Sequence, residues 1–156
     1  MAVDLSSLLE GGIILPVSNA TSRKHVIMQL AEALSRVTGI ETRTIQDVVM
    51  ERERLGSTAV GEGVAIPHAR HEGLPQPIGA FMRLEEPVDF EAIDDRACDL
   101  IFMLLAPLSA GADHLRALAQ VSRAFRQSSV RQGLRQASSA EDMRQVLCKV
   151  NTSNAA

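Results

Sequence analysis

The chain has 156 residues, 16 basic against 19 acidic side chains and a formal net charge of −3, with 46% hydrophobic residues. That is enough apolar material for a real core in one domain and too much for a disordered chain. The absence of a dense basic run, of Trp and of Tyr argues against nucleic-acid binding, which needs phosphate-neutralising patches or stacking platforms. Cys98 and Cys148 lie far apart, with neither zinc-site spacing nor the density of a disulfide framework, and read as reduced thiols. No Lys or Arg precedes Arg23, and the apolar run Ile13–Val17 is too short for a signal or a membrane span, so a cytoplasmic protein without membrane insertion is expected.

Taken in order, Leu5, Leu8 and Leu9 form a short Leu-rich turn ended by Gly11-Gly12. A strand over Ile13–Val17 follows. A helix over 22–37 has Val26, Ile27, Leu30, Ala33, Leu34 and Val37 on one face, with Gly39 as its stop. His25 falls on its polar face. Thr44 and Asp47 suggest a capping box for a second helix ending near Arg54, with Ile45, Val48, Val49 and Leu55 turned inward. Its charged end, Glu51-Arg52-Glu53-Arg54, holds two cations that complement the helix dipole; either is placed to reach an anion on the following loop.

The stretch Gly56-Ser57-Thr58-Ala59-Val60-Gly61-Glu62-Gly63-Val64-Ala65-Ile66-Pro67-His68-Ala69-Arg70 carries the chemistry. Glycines let backbone approach a ligand, while hydroxyls and N–H groups suit an oxyanion. Pro67 restricts Ile66 to extended geometry, which presents His68 on a loop after a strand-like run. A neutral imidazole is available near pH 7 to accept a phosphoryl group, and Ser57, Thr58, Gly61 and Gly63 are the candidate donors around it. His68-x-x-His71 lacks a third placed ligand, so no metal is expected. Ser57 lacks the flanks of a hydrolase nucleophile elbow, and no Lys-Ser/Thr pair closes a Walker loop.

Beyond it, Ile78–Leu84 reads as a strand, 85–96 as a polar connection, and Asp99–Pro107 as a strand buried on both faces. Asp113 then caps a helix with Leu115, Leu118, Val121, Ser122 and Phe125 inward, putting His114 at the positive end of its dipole. An exposed first-turn histidine fits the same spacing, and the two readings stay open. A short helix over 130–136 precedes a last helix capped by Ser138 to Glu141, with Met143, Val146, Leu147 and Val150 inside. Strands interleaved with helices, without a repeat or linker, give a single α/β (α+β) domain: a mixed β-sheet flanked by helices over 1–156, with its core at about 5–150.

Gly56-Ser57-Thr58-x-x-Gly61-x-Gly63-x-Ala65-Ile66-Pro67-His68 resembles the signature of the enzyme IIA family of the bacterial phosphoenolpyruvate-dependent phosphotransferase system, fructose/mannitol superfamily. Arg52-Glu53, the Pro87-to-Asp94 connection and Asp113-His114-Leu115 resemble it in the same order, over nearly the whole chain. The Gly-Ser-Thr start is most similar to the nitrogen-regulatory branch. The resemblance implies a mixed sheet flanked by helices, with His68 phosphorylated by an HPr-like carrier, His114 as the second family histidine and Arg52 as the arginine on the phosphoryl group. It implies no cofactor, and regulatory target proteins such as sensor kinases or ion transporters as readers of the phosphorylation state. Ala69-Arg70 stand where the family commonly has Gly-Lys, which puts a slightly different loop in view. The alternatives are a sugar-specific enzyme IIA serving a fructose- or mannitol-type enzyme IIB, a binding module never phosphorylated, and a metal-dependent hydrolase.

Overall fold

A computed structural model describes residues 5–109 and 111–148. The elements in chain order are α1 (Ser6–Leu9), β1 (Ile13–Ser18), α2 (Arg23–Thr38), α3 (Thr42–Leu55), β2 (Ala59–Gly61), β3 (Val64–Ala65), β4 (His68–His71), β5 (Ile78–Val88), β6 (Cys98–Pro107), α4 (Gly111–Arg126), α5 (Ser128–Gln136) and α6 (Ala140–Cys148). The strands form one mixed sheet in the order β1-β5-β6-β3-β2, with β4 also on β6. β1 runs parallel to β5, β5 antiparallel to β6, and β3 and β4 parallel to β6.

The two long strands explain the layers. Along β6, Leu100, Phe102 and Leu104 belong to a core under α1, α4, α5 and α6, while Ile101, Met103 and Leu105 belong to a core under α2 and α3. Successive side chains of a strand point to opposite faces, so a continuous apolar run is what a strand buried on both faces requires. The sheet is therefore the middle of three layers, as the single mixed-sheet domain demanded.

Several boundaries differ from the sequence reading. α3 begins two residues earlier, on Glu41, whose carbonyl accepts Ile45 N–H at 3.1 Å; Thr44 lies inside the first turn and caps nothing. Leu55, expected inside, is 82% exposed because the helix ends there and turns its last residue outward. β5 continues through Pro87 to Val88, which pairs with Cys98 across a register shift, the irregularity at which a strand tolerates proline. α4 starts at Gly111, so Asp113 is not its cap but bonds Arg116 at 2.8 Å, and His114 is the fourth helical residue. The inner stripe of α4 is His114, Ala117, Val121, Ala124 and Phe125; Leu115 is 67% exposed. The α6 cap is Ser139, whose Oγ accepts Asp142 N–H at 3.1 Å, one residue later than expected. Val150 lies outside the described residues.

His68 is also placed differently: it opens a strand instead of standing on a loop. Val64 opposes Leu100 and His68 opposes Leu104, the same offset, so 64–71 runs along β6 in one unbroken register. The Pro67 carbonyl accepts Leu104 N–H at 2.9 Å between the two pieces. Pro67 has no N–H to give in return, which is why the run divides there. Ala69 pairs with Leu105 and is absent from the positive-φ residues, which outside glycine are Glu62, Glu91 and Asp95, so the Ala-for-Gly departure leaves ordinary strand geometry.

Candidate functional site

Alternation along this strand decides where His68 points. Val64 and Ile66 belong to the core under α4, and His68 continues the same face, where it meets His114 of the α4 inner stripe. The two ring centroids are 5.6 Å apart, tilted by 48°. His68 Nδ1 lies 2.8 Å from the Ile66 carbonyl oxygen. A carbonyl only accepts, so Nδ1 carries the proton and Nε2 keeps its lone pair. Pro67 holds Ile66 extended and thereby fixes the carbonyl that selects this tautomer. The half-buried ring is thus a neutral, oriented nitrogen nucleophile.

Burial is the main influence that lowers the His68 pKa from its ordinary 6.5; the Ile66 bond opposes it, Arg52 adds to the lowering and Glu53 counters it. His114 is lowered as well, first by burial, then by His68 and Arg70. Its Nδ1 is buried and has no hydrogen-bond partner among the described residues. An unpaired buried polar atom costs about 1–3 kcal/mol, a cost that a group arriving during function relieves if it bonds there.

The pH consequence has a definite sign. Both imidazoles bind a proton more weakly folded than unfolded, so unfolding takes up protons below the ordinary pKa. Their contribution to stability is complete above pH 6.5 and is lost as pH falls through the folded pKa values. Imidazole NMR titrations should therefore place both inflections below 6.5, with the melting temperature falling on acidification through that window. A His68 inflection at or above 6.5 would contradict the buried neutral ring.

Two surface depressions flank His68. One, of about 420 Å³, is lined by Arg52, Leu55, Arg70, Leu108 and His114; the other, of about 250 Å³, by Arg52, Ser57, Thr58, Val60 and Leu118. Arg52 lines both, and its Nη1 donates to the Gly56 carbonyl at 3.0 Å. Arg54 lines neither. The structure thus brings His68, His114 and Arg52 together, with Ser57 and Thr58 alongside.

The hydroxyls are occupied. Ser57 Oγ donates to the Phe90 carbonyl and accepts Ala59 N–H, while Thr58 Oγ1 donates to Glu53 Oε1 at 2.5 Å. Gly61 and Gly63 are not brought to His68 at all. They flank Glu62 in the β2–β3 turn, where all three residues have positive φ (97°, 58° and 79°). By register the Gly63 end lies five residues down β6 from Leu104, about 16 Å at strand rise. The glycines therefore make a tight turn, and the anion-cradle expectation does not fit their position. His71 Nδ1 accepts Gly73 N–H at 2.9 Å, and no metal-sized cluster of His, Cys, Asp or Glu occurs among the described residues. Cys98 is a buried free thiol pushed up to about 12, chiefly by burial.

Two features were missed from sequence. Glu53 is 3% exposed, although its neighbours in the charged run face solvent or half-face it. Leu55, Val60, Leu108 and Leu115, all more than half exposed, stand on the segments that surround the two histidines. Leucine spacing was the signal that pointed the wrong way at Leu115: the buried stripe of α4 runs through His114, Ala117, Val121 and Ala124 instead.

Residues 7–150 match the family model described as phosphoenolpyruvate-dependent sugar phosphotransferase system, EIIA 2. A nitrogen regulatory protein of Bradyrhizobium diazoefficiens is 41% identical over 143 residues, which is 92% of this chain and 94% of that protein. A fructose-specific EIIA component of Haloferax volcanii is 40% identical over 104 residues, 67% of this chain and 68% of its own. The crystal structure of nitrogen regulatory protein IIA-Ntr from Neisseria meningitidis superposes with a TM-score of 0.82 at 39% identity, covering 88% of this chain and 93% of that one.

Proposed function

The chain belongs to the EIIA 2 family of the phosphoenolpyruvate-dependent sugar phosphotransferase system, and on that premise we propose that His68 is the residue that takes up the phosphoryl group. The protein is a phosphoryl carrier and regulator of the nitrogen type, the type named in relatives 38–41% identical over more than nine-tenths of their own length. The observation that carries the assignment is the Nδ1–Ile66 bond, which leaves Nε2 as the nucleophilic nitrogen.

The reaction balances as an exchange of one N–P bond for another. The donor is a phosphohistidine on an HPr-like carrier. His68 Nε2 attacks its phosphorus in line, the donor N–P bond breaks, and the electron pair returns to the carrier's imidazole. Positioning and charge stabilisation supply the catalysis, because little covalent chemistry is left for the protein. Arg52 is the cation beside the transferring group, and the His114 ring is the neighbouring donor. Neither a cofactor nor a metal enters these steps.

The exposed Leu55, Val60, Leu108 and Leu115 suit an apolar patch on the carrier. Replacing Leu108 with Glu is expected to raise the KM for the carrier about tenfold, equivalent to ~1.4 kcal/mol, with kcat retained. Steady-state transfer against carrier concentration reads this, and an unchanged KM would move the docking site elsewhere. Phosphorylation sets roughly two negative charges amid that apolar surface, and target proteins such as sensor kinases or ion transporters distinguish the two states by it. A carrier that exchanges phosphoryl groups with HPr-like proteins is expected in the cytoplasm. No helix among the described residues is long and apolar enough to cross a membrane.

The test is incubation with phosphoenolpyruvate, enzyme I and an HPr-like carrier, read by intact mass and acid lability. One acid-labile phosphoryl group per chain is expected. The Haloferax relative favours a second reading, in which the phosphoryl group passes on to a fructose-type enzyme IIB. Loss of label on adding that domain would support it; retention supports the regulator.

A further inference from the structure

Glu53 is the buried acid that the mechanism above does not use. It sits in the last turn of α3, 3% exposed, among residues that otherwise face water. Both carboxylate oxygens are engaged by the loop that follows: Oε2 accepts Thr58 N–H at 3.2 Å, and Oε1 accepts the Thr58 hydroxyl at 2.5 Å. Arg23, near the start of α2, approaches Oε2 at 3.4 Å and with its other nitrogen holds Glu91 at 2.7 Å. One side chain therefore joins the end of α3, the Gly56–Thr58 loop and, through Arg23, the connection after β5.

A lone carboxylate is costly to bury, and only a full set of donors keeps it charged there. A core needs no such device: an apolar residue in this position would pack more simply. What the device fixes is the five-residue span between Arg52, on the turn of α3 next to Glu53, and Thr58. The Gly56 carbonyl lies inside that span and is the partner of the Arg52 guanidinium. A cation rotating free on a long side chain stabilises a transferring phosphoryl group far less than one already held in place, because ordering it costs entropy at the moment of reaction.

We propose that Glu53 is a positioning residue for phosphoryl transfer: by tethering Thr58 it holds the Gly56 carbonyl, and with it the Arg52 guanidinium, beside His68. The proposal rests on the reading of His68 as acceptor. Glu53 touches neither the histidine nor the incoming phosphorus; its positioning effect runs through Arg52, apart from the charge by which it acts on the His68 ring.

Glu53→Gln tests it, since the amide keeps the size and one acceptor but loses the charge that orders Thr58 and Arg23. Phosphoryl transfer from the carrier should fall at least tenfold in kcat with KM within twofold of the parent, the pattern of an interaction made in the transition state alone. In a 15N spectrum the Arg52 Nε–H signal, assigned by its loss in Arg52→Lys, should be sharp in the parent and broadened in the variant. Thr58→Val, which removes the hydroxyl from the other side, should reproduce both effects and guards against a folding defect particular to Glu53→Gln. Parent-like kcat in folded Glu53→Gln, or a loss of kcat with the Arg52 signal unchanged, overturns the proposal. A parent protein that takes up no label would refute the acceptor reading instead, while a changed Arg52 signal in that case would still report the tether.

Discussion

Replacing His68 with alanine is expected to abolish incorporation of the acid-labile phosphoryl group while leaving a folded protein. The loss is complete because no other histidine offers the same nitrogen. His71 uses Nδ1 on Gly73 and lies outside both depressions that Arg52 lines, and His25 shares its Nε2 with Gln29 on α2. His114, the neighbour, is 8% exposed and too enclosed for a carrier's phosphohistidine to approach in line. The fold survives because the bond given up, from Nδ1 to the Ile66 carbonyl, is worth about 1 kcal/mol net, and alanine continues β4 without disturbing its pairing to Leu104. Intact mass after exposure to phosphoenolpyruvate, enzyme I and carrier reads the result directly. Label persisting on the variant at the parental rate would remove His68 from the acceptor role and require a different nucleophile.

What singles out His68 in the sequence is local: a proline that restricts its neighbour, a histidine after it, and hydroxyl and glycine residues before. Local chemistry also gave α2, whose left-handed Gly39 stop stands at the expected place. The long apolar run at Asp99–Pro107 could only be a strand covered on both sides, and β6 is that strand. Two of the misreadings share one cause, that long-range pairing was invisible. Nothing near Gly61 and Gly63 says that their segment pairs with β6 well away from His68, so two glycines that make a turn looked like an anion cradle. Nothing within α3 marks Glu53 as buried, since its donors come from Thr58 and from Arg23, thirty residues earlier. The α4 stripe slipped because alanines and a histidine, poor hydrophobic markers, occupy the inward positions that larger leucines seemed to claim.

The largest stability effect is expected at the other edge of the sheet, at Gly12. A Cβ built there would lie 2.0 Å from the Gly79 carbonyl oxygen and 3.1 Å from that of Leu8. Both obstacles are backbone, so no side-chain rotation relieves them. Retreat of Gly79 is blocked as well: Gly79 is packed so closely on Phe102 that a Cβ of its own would meet the ring at 2.5 Å. Phe102 is fully buried against Phe125 and cannot yield without opening the core under α4. Gly12→Ala must therefore separate the start of β1 from β5, next to the Ile13–Ala80 pair. Overpacking of this kind costs roughly 3 kcal/mol or more, which for a chain of this size lowers the melting temperature by about 6–12 °C. Thermal unfolding followed by far-UV circular dichroism measures it. Because β5 and β6 stand between β1 and β4, phosphoryl transfer well below the transition should proceed at the parental rate. A melting temperature within a degree or two of the parent would mean that β1 approaches β5 less closely than the Gly12–Gly79 contact requires. Slowed transfer in a fully folded variant would mean instead that the sheet carries strain from β1 through to His68.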